Sequence, residues 1–259
     1  LPSTVALEEI IALGRAVLFP GFYGRSSLHA TTIKYHIGVE IEQLFTLLSG
    51  QIQAGLCFES ASSDQEGCCD CRRRAEESAV ALIGRLPEVR RILATDVEAA
   101  YLGDPAAQTY GEDIRRYPVI RALTSYRLAH ELHKLGVPLI PRIITELAHS
   151  ETGIDIHPGA EIGSYFTIDH GTGTVIGETC IIGSHVKLYQ GVTLGAKSFP
   201  LDEEGNPIKD IPRHPILCDD VVVYSNATIL GRVKIGRGAT IGANVWVTHD
   251  VEEGATLKV

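Results

Sequence analysis

The chain has 259 residues, 44% of them hydrophobic and 21% charged, with a formal net charge of −9. That length holds one large domain or two small ones, and the composition is that of an ordinary water-soluble globular protein. The acidic balance excludes a general footprint for nucleic acid but leaves room for a local site for a phosphorylated ligand, and no apolar run approaches the roughly 20 residues of a membrane span.

The chain starts LPSTVALEEI, with no basic segment ahead of an apolar one, so no secretory leader is expected. From Thr4 to Leu18 the apolar spacing is helical and stops at Phe19-Pro20-Gly21. Thr31 to Leu56 reads as a long amphipathic helix, with Ile33, Ile37, Ile41, Leu44 and Leu48 near one face. Residues 57–71, CFESASSDQEGCCDC, read as a polar loop. Its Cys68-Cys69-Asp70-Cys71 lacks two well-spaced ligand pairs, so it reads as a loop carrying thiols rather than a metal tract. With Cys57, Cys180 and Cys218 these cysteines form no disulfide framework, and a reducing cytoplasm is the expected location.

A helix resumes at Arg72 and runs through Ile83; Pro87 is expected to interrupt it before a further helix from Val89 to about Leu102. Gly103-Asp104-Pro105 is a turn signal. Ile114 to Leu135 is predicted helical with a bend at Pro118, Gly136 ends it, and Leu139 to Ala148 gives one short helix more.

Near Gly153 the period changes. Aliphatics then fall every sixth residue: Ile156, Ile162, Ile168; after a slip of two, Ile176, Ile182, Leu188, Leu194; after a longer excursion, Leu217, Val223, Ile229, Ile235, Ile241, Val247. Period six fits neither a helix nor an alternating strand and marks a hexapeptide parallel β-helix. The expected fold class is α+β: an all-α helical N-terminal domain over 1–150, then a β-helix over 151–259 with an extended loop at 196–212.

A regular coil has few clefts, so function is sought where the register breaks. The first break, Ile168 to Ile176, pushes out Asp169-His170-Gly171-Thr172-Gly173. Asp155 lies fifteen residues before His170, near the eighteen of one coil, so a carboxylate there is expected to stack by the imidazole. An Asp–His pair suits a general base, the acid setting the tautomer and supporting the imidazolium. The second break, 196–212, ends in Arg213-His214-Pro215, a guanidinium fork with a second donor suited to a carboxylate. His157, His185 and His249 read as solvated turn residues, Lys197 and Lys209 as exposed charges, and Cys180 and Cys218 as coil residues.

GIDIHPGAEIG, DHGTGTVIGET, LYQGVTLGA and PRHP, in this order on hexapeptide rungs, resemble the serine O-acetyltransferase family. The likeness extends back through 95–106 and Ser125 to His130. The repeat alone is unspecific; the DHGTG and DIHP pair is much more so. The resemblance implies a left-handed coil and transfer of the acetyl group of acetyl-CoA to L-serine in cysteine synthesis, by direct attack in a ternary complex. It implies that His170 is the general base and Asp155 its orienting acid, that Asp104 and Asp169 hold the serine ammonium, and that Arg213 and His214 bind the carboxylate. Backbone around Gly195, Ala196 and Ser225 would line the acetyl-CoA pantetheine arm. No permanently bound cofactor or metal is implied.

The implied assembly is a homotrimer or a dimer of trimers, with active sites shared between coils and L-cysteine competing as feedback inhibitor. A C-terminal tail, where one follows, would dock O-acetylserine sulfhydrylase. The chain departs from the family at Gly103, where arginine is frequent, and in its longer link from Gly195 to Arg213. Competing readings are a hexapeptide acetyltransferase for a sugar or another amino acid, a γ-type zinc carbonic anhydrase using His170, His185 and His214, and a non-catalytic scaffold.

Overall fold

A computed structural model describes residues 1–24, 28–62, 68–198, 200–209 and 211–258. Six helices come first: α1 (Thr4–Leu18), α2 (Ile33–Ser62), α3 (Cys68–Gly103), α4 (Tyr110–Arg116), α5 (Pro118–Lys134) and α6 (Ile140–Thr152). The strands follow: β1 (Asp155–Ile156), β2 (Glu161–Ile162), β3 (Thr167–Asp169), β4 (Val175–Ile176), β5 (Ile181–Ile182), β6 (Lys187–Tyr189) and β7 (Thr193–Gly195). After the loop come β8 (Ile216–Leu217), β9 (Val222–Val223), β10 (Thr228–Leu230), β11 (Lys234–Ile235), β12 (Thr240–Ile241), β13 (Trp246–Val247) and β14 (Thr256–Leu257).

The helical half departs from the sequence reading in three places. The stretch expected as a loop over 57–71 is helical at both ends, as α2 runs on to Ser62 and α3 begins at Cys68; residues 63–67 lie outside the described residues. Pro87 does not interrupt α3. It removes one hydrogen bond, but Leu82, Leu86, Val89 and Leu93 bury one face across it, and that burial outweighs the loss. Pro118, expected to bend one helix, separates two: Tyr117 before it is extended, at φ −74° and ψ 123°, as the proline ring requires of its predecessor.

The described chain forms two compact units, Leu1–Arg91 with Leu123–Leu147, and Ile92–Ala122 with Ala148–Val259. Helix gives way to strand between Thr152 and Asp155, so the change of secondary structure and the division into units do not coincide. In the first unit Ser3 caps α1 by accepting from the Ala6 N–H, and Leu7, Ile10, Leu44, Leu48 and Ile52 are almost fully buried.

The second unit is a parallel β-solenoid. Its strands fall into three sheets: β1-β4-β7-β10-β13 (sheet one), β2-β5-β8-β11 (sheet two) and β3-β6-β9-β12-β14 (sheet three). All thirteen aliphatics of the six-residue beat are at most 9% exposed, so the beat is the core. Register measures the breaks. Val175 pairs with Thr193, eighteen residues on, but Asp155 pairs with Val175, twenty on, which locates the two extra residues in the first coil. Ile181 pairs directly with Ile216, so the whole excursion between β7 and β8 leaves the solenoid. Part of that excursion forms a small hairpin, Leu201 bridging Pro207 while the Asp202 carboxylate accepts from the Glu204 and Asn206 N–H groups.

The first coil has no coil beneath it to receive its corner N–H groups. The end of α3 does so: Thr95 Oγ1 accepts from the Tyr165 N–H at 3.0 Å, and buried Asp96 accepts from the Phe166 N–H at 3.1 Å. Glycines let corners stack closely; a Cβ on Gly163 would lie 2.7 Å from the Gly183 carbonyl.

One buried group is uncompensated. Asp113 is fully buried, and neither carboxylate oxygen has a hydrogen-bond partner among the described residues. Burial, then Glu112 and Asp104, raises its pKa. The native state therefore holds the proton more tightly than the unfolded chain, and stability falls as pH rises from the unfolded value toward the folded one. Asp113→Leu is expected to raise Tm by a few degrees at neutral pH, about 1–3 kcal/mol, the gain shrinking toward about pH 4. Thermal melts across that range check it; a variant that melts lower at every pH refutes it.

Candidate active site

The solenoid has corners where its sheets meet, and the predicted site residues sort onto two of them. The first corner, between sheet three and sheet one, carries His170. The chain leaves β3 at Asp169 and turns through His170 at φ 58°, Gly171 at 94° and Gly173 at 79°. Positive φ is uncommon for a histidine, and it aims the ring outward, with the side chain 75% exposed. Position 171 favours glycine, since φ 94° is a conformation that residues with a side chain rarely adopt and a Cβ there would also meet Ile154 Cδ1 at 2.5 Å.

His170 opens onto a cavity of about 420 Å³ whose wall includes Gly103, Asp104, Tyr117, Asp169, Thr172 and Lys187, all of the second unit. His170 Nε2 is 3.9 Å from Asp169 Oδ1, and Asp169 Oδ2 is 3.3 Å from Lys187 Nζ. Asp104 accepts from the Tyr117 hydroxyl at 2.5 Å and the Ala106 N–H at 2.8 Å. Those two bonds, the phenol's first, hold its carboxyl below the usual range, so it stands as a fixed negative charge. The phenol is pushed up by the same bond and stays a neutral donor. Lys187 Nζ donates to the Gly103 carbonyl at 2.7 Å and lies 4.7 Å from the Tyr189 ring centroid. Burial works against its charge, but bonds to Tyr189 and Asp169 outweigh that, and its pKa is raised.

The second corner, between sheet one and sheet two, carries Arg213 and His214. Arg213 Nη2 pairs with Glu178 Oε2 at 2.5 Å. Burial disfavours the Glu178 charge, yet the Arg213 bond outweighs it and lowers its pKa. His214 is 7% exposed and receives the Thr179 N–H on Nδ1 at 3.1 Å. That donor leaves Nδ1 unprotonated and puts the ring proton on Nε2. Burial, then Arg213, pushes the imidazole down to about 4, so it is neutral at physiological pH. Its ring lies on Gly177, where a Cβ would sit 2.1 Å from His214 Cδ2.

The structure thus brings His170, Asp169 and Asp104 together and leaves Arg213 and His214 on another corner of the same chain. Asp155 begins β1, half-buried, its N–H on the Thr174 carbonyl at the foot of the His170 turn. Gly195 ends β7, Ala196 follows it, and Ser225 precedes β10, the neighbour of β7, so these residues bound a strip along sheet one. Sequence reasoning missed Lys187, Tyr117, Glu178, Thr179 and Arg232. Lys187 alone left a signal: it occupies a rung position whose register partners are Thr167 and Val222. Cys180 is buried, which pushes its thiol up to about 12 and fits a coil residue rather than a nucleophile.

A parallel solenoid with a six-residue beat and sites at its corners defines the hexapeptide-repeat transferases. Residues 214–249 match the family described as Bacterial transferase hexapeptide (six repeats). The chain is 51% identical over 260 residues to the serine acetyltransferase of Synechococcus elongatus designated plasmid, covering all of this chain and 82% of that protein. It is 45% identical over 167 residues to the serine acetyltransferase of Bacillus licheniformis, covering 64% of this chain and 73% of that one. Among solved structures, Entamoeba histolytica serine acetyltransferase 1 in complex with L-cysteine superposes with a TM-score of 0.84 at 35% identity, covering 100% of this chain and 87% of that one. The chain belongs to the serine acetyltransferase family.

In ring NMR, His214 is expected to keep its proton on Nε2 and to protonate only near about 4. Gly177→Ala drives a methyl into the ring and is expected to move that titration toward an ordinary histidine value, about 6.5. A His214 signal already titrating there in the unaltered protein refutes the placement.

Proposed function

We propose that this protein transfers the acetyl group of acetyl-CoA to the hydroxyl of L-serine, giving O-acetyl-L-serine and CoA. The observation that carries the reading is the cavity in which the outward His170 imidazole faces two carboxylates, Asp169 and Asp104. An amino acid presents an ammonium, a carboxylate and a hydroxyl. The ammonium is assigned to Asp104 and Asp169, one of them fixed as an anion by Tyr117 and Ala106. The carboxylate is assigned to Arg213 and the neutral Nε2–H donor of His214.

His170 takes the hydroxyl proton as the serine oxygen attacks the thioester carbonyl. The tetrahedral intermediate expels the CoA thiolate, which recovers the proton from the imidazolium, so no acyl-enzyme forms. Asp155 orients the imidazole, and acetyl-CoA lies along the strip bounded by Gly195, Ala196 and Ser225.

Since His170 and His214 occupy different corners of one prism, a complete site takes one corner from each of two copies. The assembly proposed is a homotrimer, alone or paired into a dimer of trimers. L-cysteine carries the same ammonium and carboxylate with a thiol for the hydroxyl, so it is expected to compete with serine; the Entamoeba relative holding L-cysteine supports this. No helix among the described residues is long and apolar enough to cross a membrane, and the proposed location is the cytoplasm.

Serine-dependent CoA release is expected to fall about 100-fold or more in His170→Ala, the usual worth of a general base, with the KM for acetyl-CoA nearly unchanged. Turnover with a sugar or another amino acid but not with serine overturns the substrate assignment.

A further inference from the structure

We infer that Thr179 and Arg232 are positioning residues that clamp Arg213 and His214 where the long excursion re-enters the solenoid. The inference rests on the assignment of those two residues to the acceptor carboxylate. Neither Thr179 nor Arg232 lines the cavity at the first corner, and neither has the character of a catalytic group. What they share is the backbone of residues 213 and 214.

Thr179 sits in the turn between β4 and β5. Its Oγ1 accepts from two successive backbone N–H groups, Arg213 at 2.9 Å and His214 at 3.1 Å. The same hydroxyl lies 2.9 Å from His214 Nδ1, so its own proton also has an acceptor and all three of its hydrogen-bonding capacities are used. The Thr179 backbone N–H reaches that nitrogen too, at 3.1 Å. Arg232, in the turn between β10 and β11, closes the clamp from the far side. Its Nη1 donates to the Thr179 carbonyl and, at 3.0 Å, to the His214 carbonyl. Three successive turns of the second corner are thereby tied across the point where the loop rejoins.

The physical need is specific. Residue 213 follows a loop whose own described bonds are mostly internal, and the ladder resumes only at the Pro215 carbonyl, which accepts from the Ile181 N–H at 3.2 Å. Between loop and ladder, the N–H groups of residues 213 and 214 find, among the described residues, no coil partner except Thr179 Oγ1. A side chain here does what a neighbouring coil does elsewhere. The backbone N–H of the same threonine, on Nδ1, sets which nitrogen of His214 bears the proton, and so whether the ring offers a donor to an anion. A guanidinium fork and an Nε2–H aimed by backbone must be held within about 0.5 Å to act together on one carboxylate.

The test compares Thr179→Val, Thr179→Ser, Arg232→Met and Arg213→Ala with the unaltered protein by steady-state kinetics and His214 ring NMR. Valine keeps the shape and removes the acceptor; serine keeps the acceptor. Thr179→Val is expected to raise the KM for serine about tenfold, a factor one lost hydrogen bond accounts for, with kcat and the KM for acetyl-CoA changed about twofold or less. It is also expected to raise the His214 pKa. Thr179→Ser is expected to restore both, and Arg232→Met to act in the same direction, which keeps the inference testable should valine fold poorly. Arg213→Ala serves as the reference. If it leaves the KM for serine unchanged, the carboxylate assignment fails. If it raises that KM while Thr179→Val and Arg232→Met change neither the KM nor the His214 titration, the clamp is refuted.

Discussion

A short strand in a parallel solenoid cannot satisfy its own backbone; every N–H and C=O pointing along the axis needs a coil above or below. The Asp155–Val175, Glu161–Ile181 and Thr167–Lys187 pairings answer that need in one coil, and the end of α3 answers it for the first coil, where Thr95 and Asp96 stand in for a missing neighbour. Extra residues have one way out under this constraint. They must leave at a corner, because insertion within a rung would turn the aliphatic ladder inside out. The turn at His170 and the excursion between β7 and β8 are such exits, and chemistry collects there because those are the places where the ladder's demands lapse.

The two corners differ in electrostatic character, and the difference has local causes. At the first, Tyr117 and the Ala106 N–H keep Asp104 ionised, while Lys187 spans the Gly103 carbonyl and Asp169 and ties the last residue of α3 to β6. The result is an anionic wall with one cation balancing it. At the second, Arg213 is matched by Glu178, and His214 is neutral and oriented. An exposed, strained imidazole beside carboxylates suits proton transfer; a buried neutral one suits a fixed donor. The same residue type serves two purposes because burial differs, and Gly177 makes the second possible by leaving room for the ring.

Much of this was legible in the chain. The hexapeptide beat named its own core to the residue, and the two lapses in the beat marked both corners. The helical half was less legible wherever local signals pointed against tertiary burial. A polar, cysteine-bearing stretch over 57–71 has no apolar stripe at its centre, yet helix extends into it from both sides. Pro87 carries a strong local signal to stop and is overruled by buried leucines on either side, whereas Pro118 carries the same signal and is obeyed. The ring is identical; the packing around it decides.

By itself the sequence determined the solenoid, its core, and the residues His170, Asp169, Arg213 and His214 as exceptions to a repeat, because periodicity is a local property that any window of the chain displays. Only the tertiary structure decided which exceptions meet. Tyr117 reaches Asp104, Lys187 reaches Gly103 across 84 positions, and Thr179 and Arg232 close on His214 from turns 35 and 18 positions away. Apart from the charge of Lys187 on its rung, those partners carry no mark in the chain, because each is an ordinary residue in a turn or at a helix end. Folding brings Tyr117 and Lys187 to the first corner and Thr179 and Arg232 to the second, and it likewise sets His170 and His214 on different corners of a single chain.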